Sequence, residues 1–153
     1  METVADPSNP GAGGTGAAAA IPALRFHDVR IPVSDALVSK EWYITVLGMV
    51  PVLDLEWERG VVGVVLRHPE GFVVGLHHEP ERAEALRGFA VLGLAVDGYA
   101  ELQQWFDVLD RLDVPHGPIE EGHLGWYVDV PDPDGIVVRI HTEKGTAPDA
   151  EEA

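Results

Sequence analysis

Two histidines recur at the same place in a repeated motif. Residues 68–79 read HPEGFVVGLHHE and residues 132–143 read DPDGIVVRIHTE, and each segment is a tight turn that leads into a strand. The two segments share Pro, an acid, Gly, Val-Val, His and a final Glu, so His77 and His141 are equivalent. Two imidazoles at related positions could contribute to a metal site. Alternatively, each histidine lies at a strand end and hydrogen-bonds to a neighbour.

The elements that position these histidines also repeat. Each half has a strand, a helix with Trp and an aromatic neighbour, and then three strands. In the first half the predicted strands are Phe26–Val33, Val50–Trp57, Gly60–Leu66 and Gly71–His77, with a helix capped by Ser34 or Asp35 that ends at Gly48. In the second half they are Phe89–Val96, Pro118–Glu121, Gly125–Val130 and Ile136–His141, with a helix from Gly98 to about Leu112. The sequence therefore predicts an α+β fold of two tandem βαβββ modules.

The boundaries of the patterned region predict a single domain over residues 21–145. Module one covers 26–79, a charged linker with room for a short helix covers 80–88, and module two covers 89–143. Residues 1–20 are rich in Gly and Ala, and residues 146–153 are short and acidic. Neither end can bury enough apolar surface to offset the entropy of ordering, so both are predicted to be disordered tails.

Composition narrows the classes of partner. The net charge of −16 argues against nucleic acid, which needs a basic face. The same charge would favour a cationic ligand, although it could serve only solubility. The absence of cysteine excludes disulfides and thiolate chemistry and agrees with a cytoplasmic location. No apolar run is long enough to span a bilayer, and no secretory signal is evident. Phosphate-loop, Ser-His-Asp and zinc-protease motifs are also missing.

Four runs carry a family resemblance. They are HDVRIPVSD from His27, WYITVLGM from Trp42, GWYVDVPDPDG from Gly125 and VVRIHTE from Val137. Together they resemble the vicinal oxygen chelate superfamily, which includes glyoxalase I, extradiol dioxygenases, fosfomycin-modifying enzymes and bleomycin resistance proteins. The resemblance covers residues 26–143 and implies a cup-shaped, eight-stranded mixed sheet with the helices outside. It also implies a homodimer, and it does not single out one member.

The resemblance identifies four positions where metal-using members hold a divalent ion. His or Glu is usual there, on the first and last strand of each half, but this chain has Asp28, Val91, Gly75 and Arg139. One carboxylate, two residues without a ligand atom and one cation are too few donors for such a site. The leading hypothesis is therefore metal-independent binding of a small molecule, aromatic or cationic, in the cup.

Two other hypotheses stay open. Alternate residues of a strand share a face, so His77 and His141 could join Asp28 in a displaced two-histidine, one-carboxylate site. Such a site would hold Fe, Zn, Ni or Mn in a lyase, isomerase or dioxygenase. The third hypothesis is a scaffold whose cup is filled by side chains. In either of the metal-free cases Arg139 needs an anionic partner, and Asp28 is preferred over a ligand carboxylate or phosphate.

The predicted pocket combines these positions with strand-end aromatic residues. Trp57 and Trp126 could stack on a flat ligand, although packing is the more common role of such residues, and Trp42 and Trp105 are predicted to be core. No catalytic residue is assigned. The full predicted lining is Asp28, Arg30, Trp57, Gly75, His77, Val91, Trp126, Arg139 and His141.

Overall fold

The computed structural model describes residues 20–143 of the 153-residue chain. The predicted tails, residues 1–20 and 146–153, lie outside the described residues apart from Ala20. Eight strands and three helices follow the predicted order. They are β1 (Val29–Val33), α1 (Ala36–Leu47), β2 (Val50–Trp57), β3 (Gly60–Arg67), β4 (Val73–His78), α2 (Pro80–Ala85), β5 (Ala90–Val96), α3 (Tyr99–Arg111), β6 (Glu120–Gly122), β7 (Gly125–Pro131) and β8 (Val137–Thr142).

The α+β class and the two βαβββ modules are confirmed. Within the described residues the strands form two four-stranded mixed sheets, ordered β1-β4-β3-β2 and β5-β8-β7-β6. The first and last strands of each module pair in parallel, and the other pairs are antiparallel. This exact repetition of order and direction explains why the sequence repeats, because each module needs the same turns and the same buried positions.

Local chemistry explains where the elements begin and end. The carboxylate of Asp35 accepts the backbone N–H groups of Leu37 and Val38 at 3.1 Å, so Asp35 caps α1. The helix ends at Gly48, whose φ of 72° is in the left-handed region. The predicted strand at residues 118–121 is shorter and later than expected. Pro118 has no N–H to donate, and the ladder with β7 starts only at Glu120.

Each sheet has one face against a helix and one face without a helix, which we call the open face. Side chains on the helix face alternate along the strands and are buried, among them Ile31, Leu66 and Leu76 in sheet one and Val128 and Ile140 in sheet two. The residues between them point to the open face. Candidate functional residues therefore lie at alternate positions on the same strands that build the core.

A buried contact joins the two modules. The hydroxyl of Tyr43 in α1 donates to Asp132 of module two at 3.0 Å, and the N–H of Ser34 donates to the Asp134 carboxylate at 3.0 Å. Burial, followed by the charge of Asp132, strongly raises the pKa of Tyr43, so the phenol keeps its proton and acts as a donor. Ser34 thus contacts module two, while Asp35 caps the helix.

None of the helices in residues 20–143 is long and apolar enough to cross a membrane.

Candidate functional site

The open face of sheet two is organised around Arg139 on β8. Its Nε and Nη2 atoms donate to the two oxygens of Asp129 at 2.8 and 3.0 Å. Asp129 lies directly opposite on β7, so the register of the hairpin brings the two together. The Asp129 hydrogen bonds raise the pKa of Arg139. A two-pronged pair of this kind satisfies the guanidinium inside the chain.

An aromatic ring continues this arrangement towards the edge of the sheet. The guanidinium carbon of Arg139 lies 4.0 Å from the ring centroid of Tyr127, a cation–π contact. The hydroxyl of Tyr127 donates to Glu120 on β6 at 2.9 Å, and this bond raises the pKa of Tyr127. Asp129, Glu120 and Arg139 together carry one net negative charge, which favours neutral or cationic ligands beside them.

His141 presents a hydrogen-bond acceptor to the same face. Its Nδ1 lies 3.0 Å from the carbonyl oxygen of Thr142, and a carbonyl can only accept, so the neutral ring carries its proton on Nδ1. The lone pair is then on Nε2, which has no hydrogen-bond partner within residues 20–143. A Cβ at Gly93 would lie only 3.2 Å from Nε2. The absence of a side chain at Gly93 thus leaves room for the His141 ring beside β5.

Arg139, Tyr127 and His141 line a cavity of about 320 Å³. The start of β5 forms one wall, and the turn between β6 and β7 forms the rim. The lining consists of Ala90, Val91, Leu92, Gly93, Gly122, His123, Leu124, Gly125, Tyr127, Arg139 and His141. We call this cavity the sheet-two pocket. It contains three of the nine residues predicted from sequence, Val91, Arg139 and His141.

The predicted residues of module one lie on the open face of sheet one. Arg30 is opposite Gly75 and has its Nε 3.6 Å from Asp28. The ring of His77 lies over Gly75, where a Cβ would be 3.2 Å from Nε2. Most of the Arg30 side chain is exposed. Asp28, Arg30, Gly75 and His77 are thus grouped together, apart from the sheet-two pocket.

Two expectations are corrected by this placement. The predicted ion pair between Asp28 and Arg139 is wrong, because Arg139 binds its cross-strand neighbour Asp129 and Asp28 is beside Arg30 in the other sheet. Trp126 does not lie on the open face, because it has the parity of Val128. Its ring packs edge-on against Tyr99 of α3, with centroids 5.3 Å apart.

Trp57 differs from the expectation in another way. It is the last residue of β2 and is 72% exposed, and it does not line the sheet-two pocket. The aromatic wall that the sequence assigned to the two tryptophans is supplied by Tyr127 in the sheet-two pocket.

The donor set does not fit a divalent ion. At the four positions suggested by resemblance, the side chains of Val91 and Gly75 offer no ligand atom, and Arg139 is a cation bound to Asp129. Within residues 20–143, no three His, Asp or Glu side chains are close enough to hold an ion. Asp28, His77 and His141 therefore form no such group there, and the two histidines lie on different sheets.

Sequence reasoning missed Asp129, Glu120 and the rim at residues 122–125. A signal for Asp129 was present, since the DPDG turn fixes the hairpin register. In that register Asp129 and Arg139 each lie five residues from Asp134 of the turn. Glu120 has no comparable signal, because its strand is only three residues long.

Comparisons with known proteins agree with this fold. The family model described as Glyoxalase/Bleomycin resistance protein/Dioxygenase superfamily matches residues 25–140. No curated protein matches significantly. Among solved structures, TnmS3, an antibiotic binding protein from Streptomyces sp. CB03234, is 20% identical with a TM-score of 0.65. The alignment covers 80% of this chain and 99% of that one.

Two further structures show the range of proteins with the same fold. Lactoylglutathione lyase from Agrobacterium tumefaciens is 18% identical with a TM-score of 0.63, over 82% of this chain and 100% of that one. The fosfomycin resistance protein FosX from Listeria monocytogenes is 13% identical with a TM-score of 0.60, over 86% and 98%. At these identities the likeness concerns the fold alone.

Proposed function

The chain belongs to the glyoxalase/bleomycin resistance protein/dioxygenase superfamily, and from that membership we propose that it binds a small organic molecule in the sheet-two pocket without a metal ion. The observation that carries the proposal is the bidentate pair between Arg139 and Asp129. It occupies a position where metal-using relatives hold their ion, and it leaves an aromatic and histidine wall exposed beside it. TnmS3 is described as an antibiotic binding protein, and binding without reaction is the activity that we propose for this chain.

The chemistry of the wall indicates which ligands are favoured. The Nε2 lone pair of His141 can accept one hydrogen bond from a ligand N–H or O–H. The ring of Tyr127 and the apolar side chain of Val91 favour a flat, partly aromatic body. Arg139 is already paired, so an anion would gain little. We therefore propose a neutral or weakly basic aromatic ligand that donates a hydrogen bond.

Matched probes test this proposal. Benzimidazole has an N–H donor, and 1-methylbenzimidazole lacks it. Amide chemical shifts of ¹⁵N-labelled protein should move at Gly93, Gly122 and Gly125, and benzimidazole should bind more tightly than its methylated analogue. His141→Leu should weaken benzimidazole binding about three- to tenfold, the range for one lost hydrogen bond. His78→Leu, at the exposed end of β4 and with the opposite strand parity to the open face, should have little effect.

Other outcomes would contradict the proposal. Equal affinity for the two probes in wild type and His141→Leu would remove the role of His141. Elemental analysis after addition of Fe, Zn, Ni and Mn provides the second check. A near-stoichiometric ion that disappears in the His77→Leu/His141→Leu double variant would support the metal-dependent lyase, isomerase or dioxygenase instead.

We also propose that the protein is a homodimer in which the open face of sheet one covers a sheet-two pocket of the second copy. Leu53 and Leu55 on that face are 52% and 38% exposed, and exposed apolar patches of this kind mark interfaces. Sedimentation at micromolar concentration should show a dimer that Leu53→Asp dissociates. Leu37→Asp in α1, at 53% exposure, is the matched control. Dissociation by both variants, or by neither, would contradict this interface. The cytoplasmic location also stays a prediction.

A further inference from the structure

A second and larger cavity lies between the two modules, along β5, and it meets the sheet-two pocket at Leu92 and Gly93. Its volume is about 920 Å³, which is in the range of cavities that hold drug-sized ligands. It follows the free edge of β5, the outermost strand of its sheet. We call this cavity the inter-module cleft. The side chains of Leu92, Leu94 and Ile140 line it from the helix face of sheet two.

Aromatic residues from both modules form the sides of the cleft. Phe26 and Phe72 come from module one, and Trp105 comes from α3. The ring of His68 stacks on Phe72 with centroids 4.6 Å apart. His68 accepts the N–H of Glu70 at its Nδ1 and lies 3.1 Å from the carbonyl oxygen of Leu47 at Nε2. The carbonyl oxygen can only accept, so Nε2 carries the proton, and Nδ1 accepts with its lone pair. A ring with one N–H and one lone pair is neutral and adds no positive charge to the wall of the cleft.

The charges that line the cleft have one sign. Glu70, Asp97 and Glu101 contribute carboxylates, and no Lys or Arg lies among the lining residues. Within residues 20–143 these three carboxylates have no ion pair or hydrogen bond. Unpaired carboxylates thus border an apolar and aromatic volume in this cleft.

From this combination we propose that the inter-module cleft binds a small aromatic amine. The apolar body would lie against Trp105, Phe72 and Leu94, where its burial is favourable. The ammonium group would lie among the carboxylates of Glu70, Asp97 and Glu101 and could also contact the faces of the aromatic rings. The cleft and the sheet-two pocket share Leu92 and Gly93 of β5, but none of the carboxylates or aromatic residues invoked here lines the sheet-two pocket.

The experiment compares three probes that share a naphthalene ring and differ in the charge of their substituent. They are 1-naphthylmethylamine, 1-naphthylmethanol and 1-naphthoic acid, each titrated at pH 7 into the ¹⁵N-labelled full chain. The amine should bind about tenfold or more tightly than the alcohol, and the acid should bind most weakly. Amide shifts should map to residues 70–73 and 92–97 rather than to the rim at 122–125. Added salt should reduce the advantage of the amine.

A charge-matched pair of triple variants separates the cleft from the general acidity of the protein. Glu70→Gln/Asp97→Asn/Glu101→Gln removes the carboxylates of the cleft. Glu41→Gln/Glu81→Gln/Asp107→Asn removes three exposed acids elsewhere. Each exposed ion pair contributes about a two- to fivefold effect, so the first variant should bring the amine to the affinity of the alcohol. The second should change it by less than about twofold.

Three results would overturn the proposal. The first is equal binding of amine and alcohol, and the second is an equal loss in both triple variants. The third is concentration-dependent protection of the β5 amides from hydrogen exchange with no response to the amine. That result would mean that a second copy of the chain, rather than a small molecule, covers the cleft.

Discussion

The turns at residues 68–71 and 132–135 have the same backbone but different surroundings. In each turn the first residue donates its N–H across the turn at 2.8 Å, to Phe72 in one and to Ile136 in the other. In each, its side chain accepts the N–H two residues later, through Nδ1 of His68 or Oδ1 of Asp132. Both side chains also reach α1. Yet Asp132 is buried at the junction between the modules, while the tip of the other turn is exposed.

The open faces of the two sheets also have corresponding backbones but different side chains. In sheet one the arginine is on the first strand, at Arg30, and it faces Gly75. In sheet two these are exchanged, with Gly93 on the first strand and Arg139 on the last. Only Arg139 has a cross-strand acid, Asp129, to bind. The repeat thus preserves the backbone, and single substitutions decide which module has a structured pocket.

Removal of the Asp132 side chain tests the difference between the turns, and we expect the largest effect here. Asp132→Ala leaves the buried hydroxyl of Tyr43 and the N–H groups of Asp134 and Ile136 without their acceptor. Unsatisfied buried donors cost about 1–3 kcal/mol each, and we expect a loss of about 4 kcal/mol in the free energy of unfolding. His68→Ala should cost about 1 kcal/mol, since its turn is exposed.

Urea denaturation of the two variants measures this difference, with Tyr43→Phe as the control that removes one of the three bonds. Equal losses for Asp132→Ala and His68→Ala would mean that the two turns carry the same share of the stability, contrary to their burial.

The hairpin glycines give the second comparison. Gly60 is the first residue of β3 and Gly125 is the first residue of β7. Their φ angles are 115° and 140°. A Cβ at Gly60 would meet nothing within 4 Å, whereas one at Gly125 would clash with the side chain of Thr142 and lie 2.9 Å from its carbonyl oxygen. Backbone strain destabilises both Ala variants, and overpacking adds about 1–3 kcal/mol to the cost of Gly125→Ala.

We therefore expect Gly125→Ala to cost about 3 kcal/mol and Gly60→Ala about 1–2 kcal/mol. Thermal denaturation of both variants measures this. Gly125→Ala should also alter the rim of the sheet-two pocket and weaken benzimidazole binding. A Gly60→Ala variant that is the less stable of the two would contradict the packing argument.

The sequence predicts the order and type of the elements better than it predicts the partners of individual side chains. The repeated apolar alternation and the turn residues determine the modules, and the helix between Asp35 and Gly48 was predicted almost to the residue. Side-chain partners were harder, because they depend on register. The family resemblance suggests Asp28 as the partner of Arg139, whereas the hairpin register, which is symmetric about Asp134, places Arg139 opposite Asp129. Trp126 has the strand parity of the buried residue Val128, which places it on the helix face rather than in the pocket.

The exchanged arginines give a third prediction. A double-mutant cycle on Arg139 and Asp129, with Leu and Asn, should yield a coupling of about 1 kcal/mol, since the pair is bidentate and only about one third exposed. The same cycle on Arg30 and Asp28 should yield about 0.3 kcal/mol or less. In addition, Asp129→Asn frees a guanidinium in the pocket. That variant should bind benzoate more tightly than wild type does, and unchanged benzoate affinity would count against the proposed neutralisation of Arg139.

The smallest expected effect is a pH dependence that belongs to module two. Burial lowers the pKa of His116, but the hydrogen bonds to Asp110 and to the Gly117 carbonyl outweigh it and raise the pKa. Both ring nitrogens lie 2.6 Å from an acceptor, and only the imidazolium can donate to both. Because the folded pKa is above the usual value near 6.5, the stabilisation is complete below that value. It is lost as the pH rises through the folded pKa.

His116→Gln should therefore lower the free energy of unfolding at pH 5.5 by up to about 1 kcal/mol, the limit for a pair with one exposed partner. At pH 9 the difference from wild type should be smaller. Urea denaturation of both proteins at the two pH values measures it, and the titration of the other groups cancels in the difference. In module one, α1 is joined to β2 by Lys40 and Asp54 at 2.8 Å, and no histidine takes part. A His116→Gln deficit that grows with pH would mean that the neutral ring is the stabilising form, and that the two close contacts of His116 do not require its charge.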